Sequence, residues 1–151
     1  MLFGPVSITD NYTNISKDLM VQFFQGSKSQ SELAPLVRAK RAPKNSHTVT
    51  GSSLRKLCSA LTSADAVSAV ISGFETDKKG LPVLLKHYLK LNGTLLSFNV
   101  DPAFKNAIDG LILVDLTKAD GKILSRYFGR EGYQRFMEFQ RSTTDCGVRV
   151  V

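Results

Sequence analysis

Leu81, Leu84, Leu85, Tyr88, Leu89 and Leu91 recur at the three- and four-residue spacing of a helix. Gly80 and Pro82 stand before them and Asn92-Gly93 after, the first pair typical of a helix start and the second tolerant of the left-handed geometry where helices stop. The spacing predicts a helix from about Leu81 to Leu91, with Lys86, His87 and Lys90 on its other face. Directly after it come two short apolar runs, one of Leu95, Leu96, Phe98 and Val100, the other of Leu111, Ile112, Leu113 and Val114. Runs this apolar predict inner strands of one sheet, covered on both faces. The polar junction between them, Asn99 to Phe104, puts Asp101 before a proline and so biases it toward extended backbone. Asp109-Gly110 reads as a turn that opens the second strand, which sets both carboxylates near strand ends.

The same pattern resolves the flanks. Leu2 to Ile8 has the content of a strand, yet Pro5 lacks a donor N–H and predicts an edge or an interrupted ladder. Thr9-Asp10-Asn11 is a turn, after which Asn14 or Ser16 can cap a helix carrying Leu19, Met20, Phe23 and Phe24, ended by Gly26. Glu32 to Arg38 is a short helix interrupted by Pro35, and Ala39 to Ser53 has no periodicity and reads as a loop. Leu54, Leu57, Cys58 and Leu61 make one helical stripe, and Val67, Val70, Ile71 and Phe74 make a second with Ser63 as its cap. Toward the end, Ile123, Leu124, Tyr127 and Phe128 form a helix stopped by Gly129, followed by a last helix from Glu131 to Phe139 and a tail, 142–151. The sum is a small α/β fold: a mixed sheet of about three strands packed with several helices, as one domain over 1–141. A first strand that opens this close to Met1 is expected to have neighbours supplied by another segment.

Composition adds limits. A chain of 151 residues, 42% apolar and 22% charged, has enough length and apolar content for one real core. Its longest apolar runs fall far short of the ~20 residues a membrane helix needs. The expectation is a cytoplasmic protein, with peripheral contact at the inner membrane as the alternative. Cys58 and Cys146 lack metal-ligand or disulfide-scaffold spacing, and with His47 and His87 as the histidines no metal site is expected. The net charge of +7 is concentrated: Arg38, Lys40, Arg41, Lys44, Arg55 and Lys56 follow one another without an acid among them. Such a block suits an acidic protein, an anionic surface, a phosphorylated cofactor or a nucleic acid, or is a solvated loop. The absence of interleaved aromatics counts against nucleic acid.

Three segments, LFGPVSITDNY (Leu2 to Tyr12), GLPVLLKHYLKLNGTLLSFNVDPAFKNAIDGLILVDLTKAD (Gly80 to Asp120) and SRYFGREGYQRFMEF (Ser125 to Phe139), resemble the C-terminal half of the hemolysin-like GNAT acyltransferases. That family includes the N-acyltransferases of ornithine and glycine lipids and the N-acyl amino acid synthases. The resemblance implies transfer of a long, often 3-hydroxylated fatty acyl group from an acyl carrier protein or coenzyme A thioester to the amino group of an amino acid. No covalently bound cofactor is implied. The thioester's pantetheine arm would lie along the first strand, at Gly4, Pro5, Val6 and Ser7, and the central helix and two strands would form the acceptor side. Asp101 and Asp109 are then candidates for base or amine binding, with Asn99, Phe98 and Phe104 at the substrate and Tyr88 or Tyr127 as donor to the leaving thiolate. Arg38, Lys40, Arg41 and Lys44 would receive an acidic carrier protein.

The glycine-containing strand-to-helix turn that holds the cofactor pyrophosphate in this family has no counterpart here, so a complementing half or a second copy is expected to supply it. No Ser/His/Asp or Cys/His set is apparent, which suits direct attack by a free amine over a covalent acyl-enzyme. The residue-level alternatives stay open: both aspartates capping turns, both tyrosines in the core, and His87 solvated. Two other functions compete, a non-catalytic subunit that completes a partner's sheet through its first strand and a basic nucleic-acid-binding module.

Overall fold

The computed structural model describes residues 1–28, 32–44 and 51–145. His47, Cys146, the middle of the basic loop (45–50) and the end of the expected tail (146–151) lie outside them. The described residues form the expected α/β fold. Its strands are β1 (Leu2–Ile8), β2 (Thr94–Asp101) and β3 (Ala107–Val114), and its helices are α1 (Asn14–Lys28), α2 (Gly51–Ala60), α3 (Ala64–Phe74), α4 (Val83–Lys90) and α5 (Gly121–Asp145). Glu32 to Arg38 supplies only one short 3-10 turn, Ala34–Leu36, with Pro35 in its first positions.

β3 pairs antiparallel with β1 on one side and with β2 on the other, so the strand order is β1-β3-β2. The sheet is therefore antiparallel throughout instead of mixed. β2, expected as an inner strand, stands at an edge because β3 turns straight back and inserts between it and β1. The reversal is made by Lys105 and Asn106, both left-handed at φ 51 and φ 58. Asp109-Gly110 is not a turn: Asp109 is paired with Ser7 and Asn99, and Gly110 with Val6 and Phe98. Glycine is needed there for close packing, since a Cβ would lie 3.0 Å from Leu95 Cδ1 and 3.2 Å from Val6 Cγ1.

Side chains alternate across the sheet. Gly4, Val6 and Ile8 of β1 face inward, with Ile108 and Ile112 of β3 and Leu95 and Phe98 of β2, onto Leu19, Met20 and Phe24 of α1, Val67 and Ile71 of α3 and Leu85 of α4. Phe3, Pro5 and Ser7 face the other way. These helices cover one face; Leu96 and Leu113 are buried outside that core cluster, and polar groups stand on the second face at the end where β3 begins.

Helix starts follow local chemistry. Ser63 caps α3, its Oγ accepting from Ala66 N at 3.1 Å. For α1 the cap is Thr13, whose Oγ1 accepts from Ser16 N at 3.4 Å, in place of the expected Asn14 or Ser16, and Thr13 also meets a buried acid from elsewhere in the chain. Glu75, 4% exposed at the end of α3, accepts from Thr13 N at 3.0 Å and Thr13 Oγ1 at 2.8 Å. Lys79 Nζ lies 3.7 Å from the same carboxylate, donates to Asn11 O at 2.7 Å and sits 4.7 Å above the Tyr12 ring. Tyr12 in turn donates to Gly80 O at 2.8 Å. This network ties the turn after β1 to the segment after α3.

The two C-terminal helices expected on either side of Gly129 are continuous in α5 except for a break at that glycine, φ 71 and ψ 168. A straight helix would set Gly121 and Tyr133 about 18 Å apart. Instead the Tyr133 hydroxyl occupies the space a Cβ on Gly121 would need, and Phe128 and Phe136 stack edge-on at 5.7 Å. The second half folds back on the first and continues to Asp145, past the expected start of a tail at Ser142. No helix of the described residues is long and apolar enough to cross a membrane.

Burial of Glu75 opposes its ionisation, but hydrogen bonds from Ser16 and Thr13 and the Lys79 charge prevail, so its carboxyl titrates below its ordinary value. A carboxyl depressed on folding stabilises fully above its unfolded pKa and loses that contribution as the pH falls through the folded value. Replacing Glu75 by Ala should therefore cost about 1–3 kcal/mol at pH 7, read by urea denaturation, because the buried Ser16 hydroxyl and the part-buried Thr13 N–H lose their acceptor. The gap between wild type and Glu75→Gln should shrink on acidification below the ordinary carboxyl range.

Candidate active site

At the end of the sheet where β1 and β2 finish and β3 begins, the outward face opens into a cleft of about 620 Å³. Ser7 and Asp109 are register partners on adjacent strands, and Ser7 Oγ donates to Asp109 Oδ1 at 2.5 Å. Asp101 lies two pairs further along, opposite Ala107, on the same face. Pro5, Ala103, Phe104 and Ala107 supply apolar walls, while Thr9, Asp10 and Lys105 close the rim. Phe104 is 72% exposed, an aromatic ring held at the mouth with its face uncovered.

The local sequence explains this arrangement. Pro102 cannot extend the ladder, so β2 ends at Asp101, whose carboxylate accepts from Ala103 N at 2.9 Å and starts a 3-10 turn over Pro102–Phe104. That turn throws Phe104 outward and leads to the left-handed pair Lys105-Asn106. Lys105 Nζ then reaches Asp10 Oδ2 at 3.8 Å, joining the hairpin tip to the loop after β1. With both side chains largely in water this pair adds little stability. The cleft holds three carboxylates, Asp10, Asp101 and Asp109, against the single ammonium of Lys105, and so favours a cation or an amine.

The expected site residues separate into those the fold gathers and those it does not. Asp101, Asp109, Phe104, Pro5 and Ser7 line the cleft together. Gly4 and Val6 belong to the same strand but point into the core. Phe98, 3% exposed, is a core residue under Gly110. Tyr88 is on the inner side as well: its phenol fills the space beside Gly4, across the sheet from Asp109, so it cannot donate into the cleft. Tyr127 is 56% exposed instead of buried, and its hydroxyl is 3.1 Å from His87 Nδ1.

Asn99 has a different partner from the expected acceptor. Its Oδ1 accepts from Arg41 N at 2.8 Å and its Nδ2 donates to Val100 O at 3.2 Å, while Val100 N donates to Arg41 O at 2.8 Å. The basic segment is thus strapped along the outer edge of β2, with Arg38, Lys40, Arg41 and Lys44 exposed. Arg55 and Lys56, from the other end of the charge block, stand on α2.

Asp10, Thr9 and Lys105 escaped the sequence reading. Thr9-Asp10-Asn11 carried only a turn signal, and nothing local pairs Asp10 with a lysine in a distant hairpin. A clue lay in Lys105-Asn106, since a polar pair between two apolar runs is where a hairpin reverses. Among the described residues no group of three or more His, Cys, Asp or Glu side chains is arranged to hold a metal. Cys58 is half-buried, and burial pushes its thiol pKa up, which makes it a poor nucleophile at neutral pH.

Chemically, the cleft offers an anionic acceptor, Asp109, oriented by a hydroxyl and bordered by apolar surface. Comparison with protein-family models, curated proteins and solved structures gives no match to this chain.

Asn99→Ala should release the strap without disturbing the core. The expected result is a loss of about 1 kcal/mol, with faster amide hydrogen exchange at Arg41 and Val100 and unchanged protection in β1.

Proposed function

We propose that this chain is an acyltransferase-type domain whose cleft receives the amine of an amino acid for transfer of a fatty acyl group from an acyl carrier protein or coenzyme A thioester. The observation that supports it best is the convergence of Asp109, Asp101, Ser7, Pro5 and Phe104, drawn from three strands and a turn, in one acidic cleft with apolar walls. An amino acid enters as an ammonium and must lose a proton before it can attack. Asp109, fixed by Ser7 and with no donor to its second oxygen among the described residues, is placed to bind that ammonium and take its proton, directly or through a water. The neutral nitrogen then attacks the thioester carbonyl, the C–N bond forms, and the C–S bond breaks to release the thiol. Asp101 is committed to its turn by Ala103 N and acts by field. The Pro5 and Phe104 surfaces suit the acyl chain near the reacting carbonyl.

The basic strap of Arg38, Lys40, Arg41 and Lys44 fits the acidic surface of a carrier protein, whose approach would weaken as salt is added. A second reading, a non-catalytic subunit that extends a partner's sheet, rests on β1, which pairs with β3 on one side and with no described strand on the other.

The test follows glycine and ornithine binding by NMR titration, and thiol release from an acyl thioester in their presence. Asp109→Asn keeps the Ser7 hydrogen bond and removes the charge, and should weaken amine binding and lower any transfer about 100-fold or more. Saturable binding of neither amino acid, or binding indifferent to Asp109→Asn, would count against the proposal.

A further inference from the structure

α4 and the first half of α5 present a second surface, unconnected with the cleft. Val83 is 70% exposed and Leu84 50%, although both occupy a helix whose opposite side, Leu85, is fully buried. His87 follows one turn later and meets Tyr127 of α5 at 3.1 Å, so the two helices join into one face. Tyr127 and Phe128 add exposed aromatic surface, 56% and 41%. Apolar side chains gathered this way on a small domain mark a contact surface.

The charges around them have one sign. Lys86 and Lys90 come from α4, and Lys122, Arg126 and Arg130 from α5; neither α4 nor α5 up to Arg130 contains an acid. Among the described residues none of these five side chains forms an ion pair with a carboxylate. The nearest acids in sequence are Asp120, which is occupied capping α5 through Lys122 N at 2.7 Å, and Glu131. Exposed aliphatic and aromatic groups within a ring of unpaired cations match the layered chemistry of an anionic bilayer surface: hydrocarbon below, phosphate at the level of the lysines. A purely electrostatic partner would give no role to Val83 and Leu84.

We infer that the α4–α5 face docks on an anionic lipid bilayer, with Val83, Leu84, Tyr127 and Phe128 entering the interface and Lys86, Lys90, Lys122, Arg126 and Arg130 meeting lipid phosphates. This is independent of the reading of the cleft.

The test is co-sedimentation with vesicles of phosphatidylglycerol and phosphatidylcholine, against vesicles of phosphatidylcholine alone. Binding should require the anionic lipid and fall with added salt. Val83→Glu with Leu84→Glu, both at exposed positions, should weaken binding tenfold or more, while Lys40→Glu with Arg41→Glu, on the strap, should not. The chain contains no tryptophan, so Leu84→Trp is a clean reporter whose emission should shift to the blue on anionic vesicles. Binding abolished by the strap substitutions but not by those on α4 would overturn the inference. So would a tryptophan that stays fully water-exposed on vesicles, binding to soluble polyanions with none to vesicles, or a self-association removed by the α4 substitutions in a protein that ignores lipid.

Discussion

β3 pairs along its length with both neighbours, and its two ladders set the geometry of everything else. Ile108, Ile112 and Val114 of β3 are fixed against the helical layer, whereas Asp109 opens to the cleft. A central strand with Gly110 at the crossing of Val6, Leu95 and Phe98 lets the layers close tightly, because no side chain keeps them apart. The same ladders bring Ser7 and Asp109 into register. The cleft is therefore a by-product of strand pairing, and its precision is that of the sheet.

Around this centre the loops are held by polar contacts instead of by a second core. Glu75 fastens the start of α1 to the end of α3, Asn99 and Val100 hold the basic strap to the edge of β2, and Asp101 shapes the hairpin turn. Asp115 does the same after β3, where bonds from Thr117 hold its carboxyl below the ordinary range. Such short-range devices let a domain of this size orient several polar segments over one apolar layer.

Much of this was legible from residue order. Strand and helix positions followed from apolar spacing, and the Ser63 cap and the Gly129 break were read from single residues. The rest depended on contacts between distant segments. Periodicity does not tell an inner strand from an edge strand, and β2 is at an edge because β3 lies between it and β1. Gly110 carries a turn signal but sits in mid-strand, because glycine serves reversal and close packing alike. Asp101, Asp109, Ser7, Pro5 and Phe104 are among the residues the sequence points to, whereas Tyr88 on α4 and Phe98 on β2 both lie on the inner side of the sheet, which residue order alone does not show. Asp10 carries only a turn signal and Lys105 only that of a hairpin reversal, since a long-range ion pair leaves no mark on either neighbourhood.

The alternation along β3 carries one more implication. Ile108, Asp109 and Gly110 are consecutive, yet they answer to different masters: the first and third to the interior, the second to the open face. Insertion or deletion of a single residue before them would trade these allegiances at a stroke, driving a carboxylate into hydrocarbon and an isoleucine into water. Substitution at Asp109 can thus reshape the chemistry while the frame stands, but the count of residues between Lys105 and Asp109 is not free to drift.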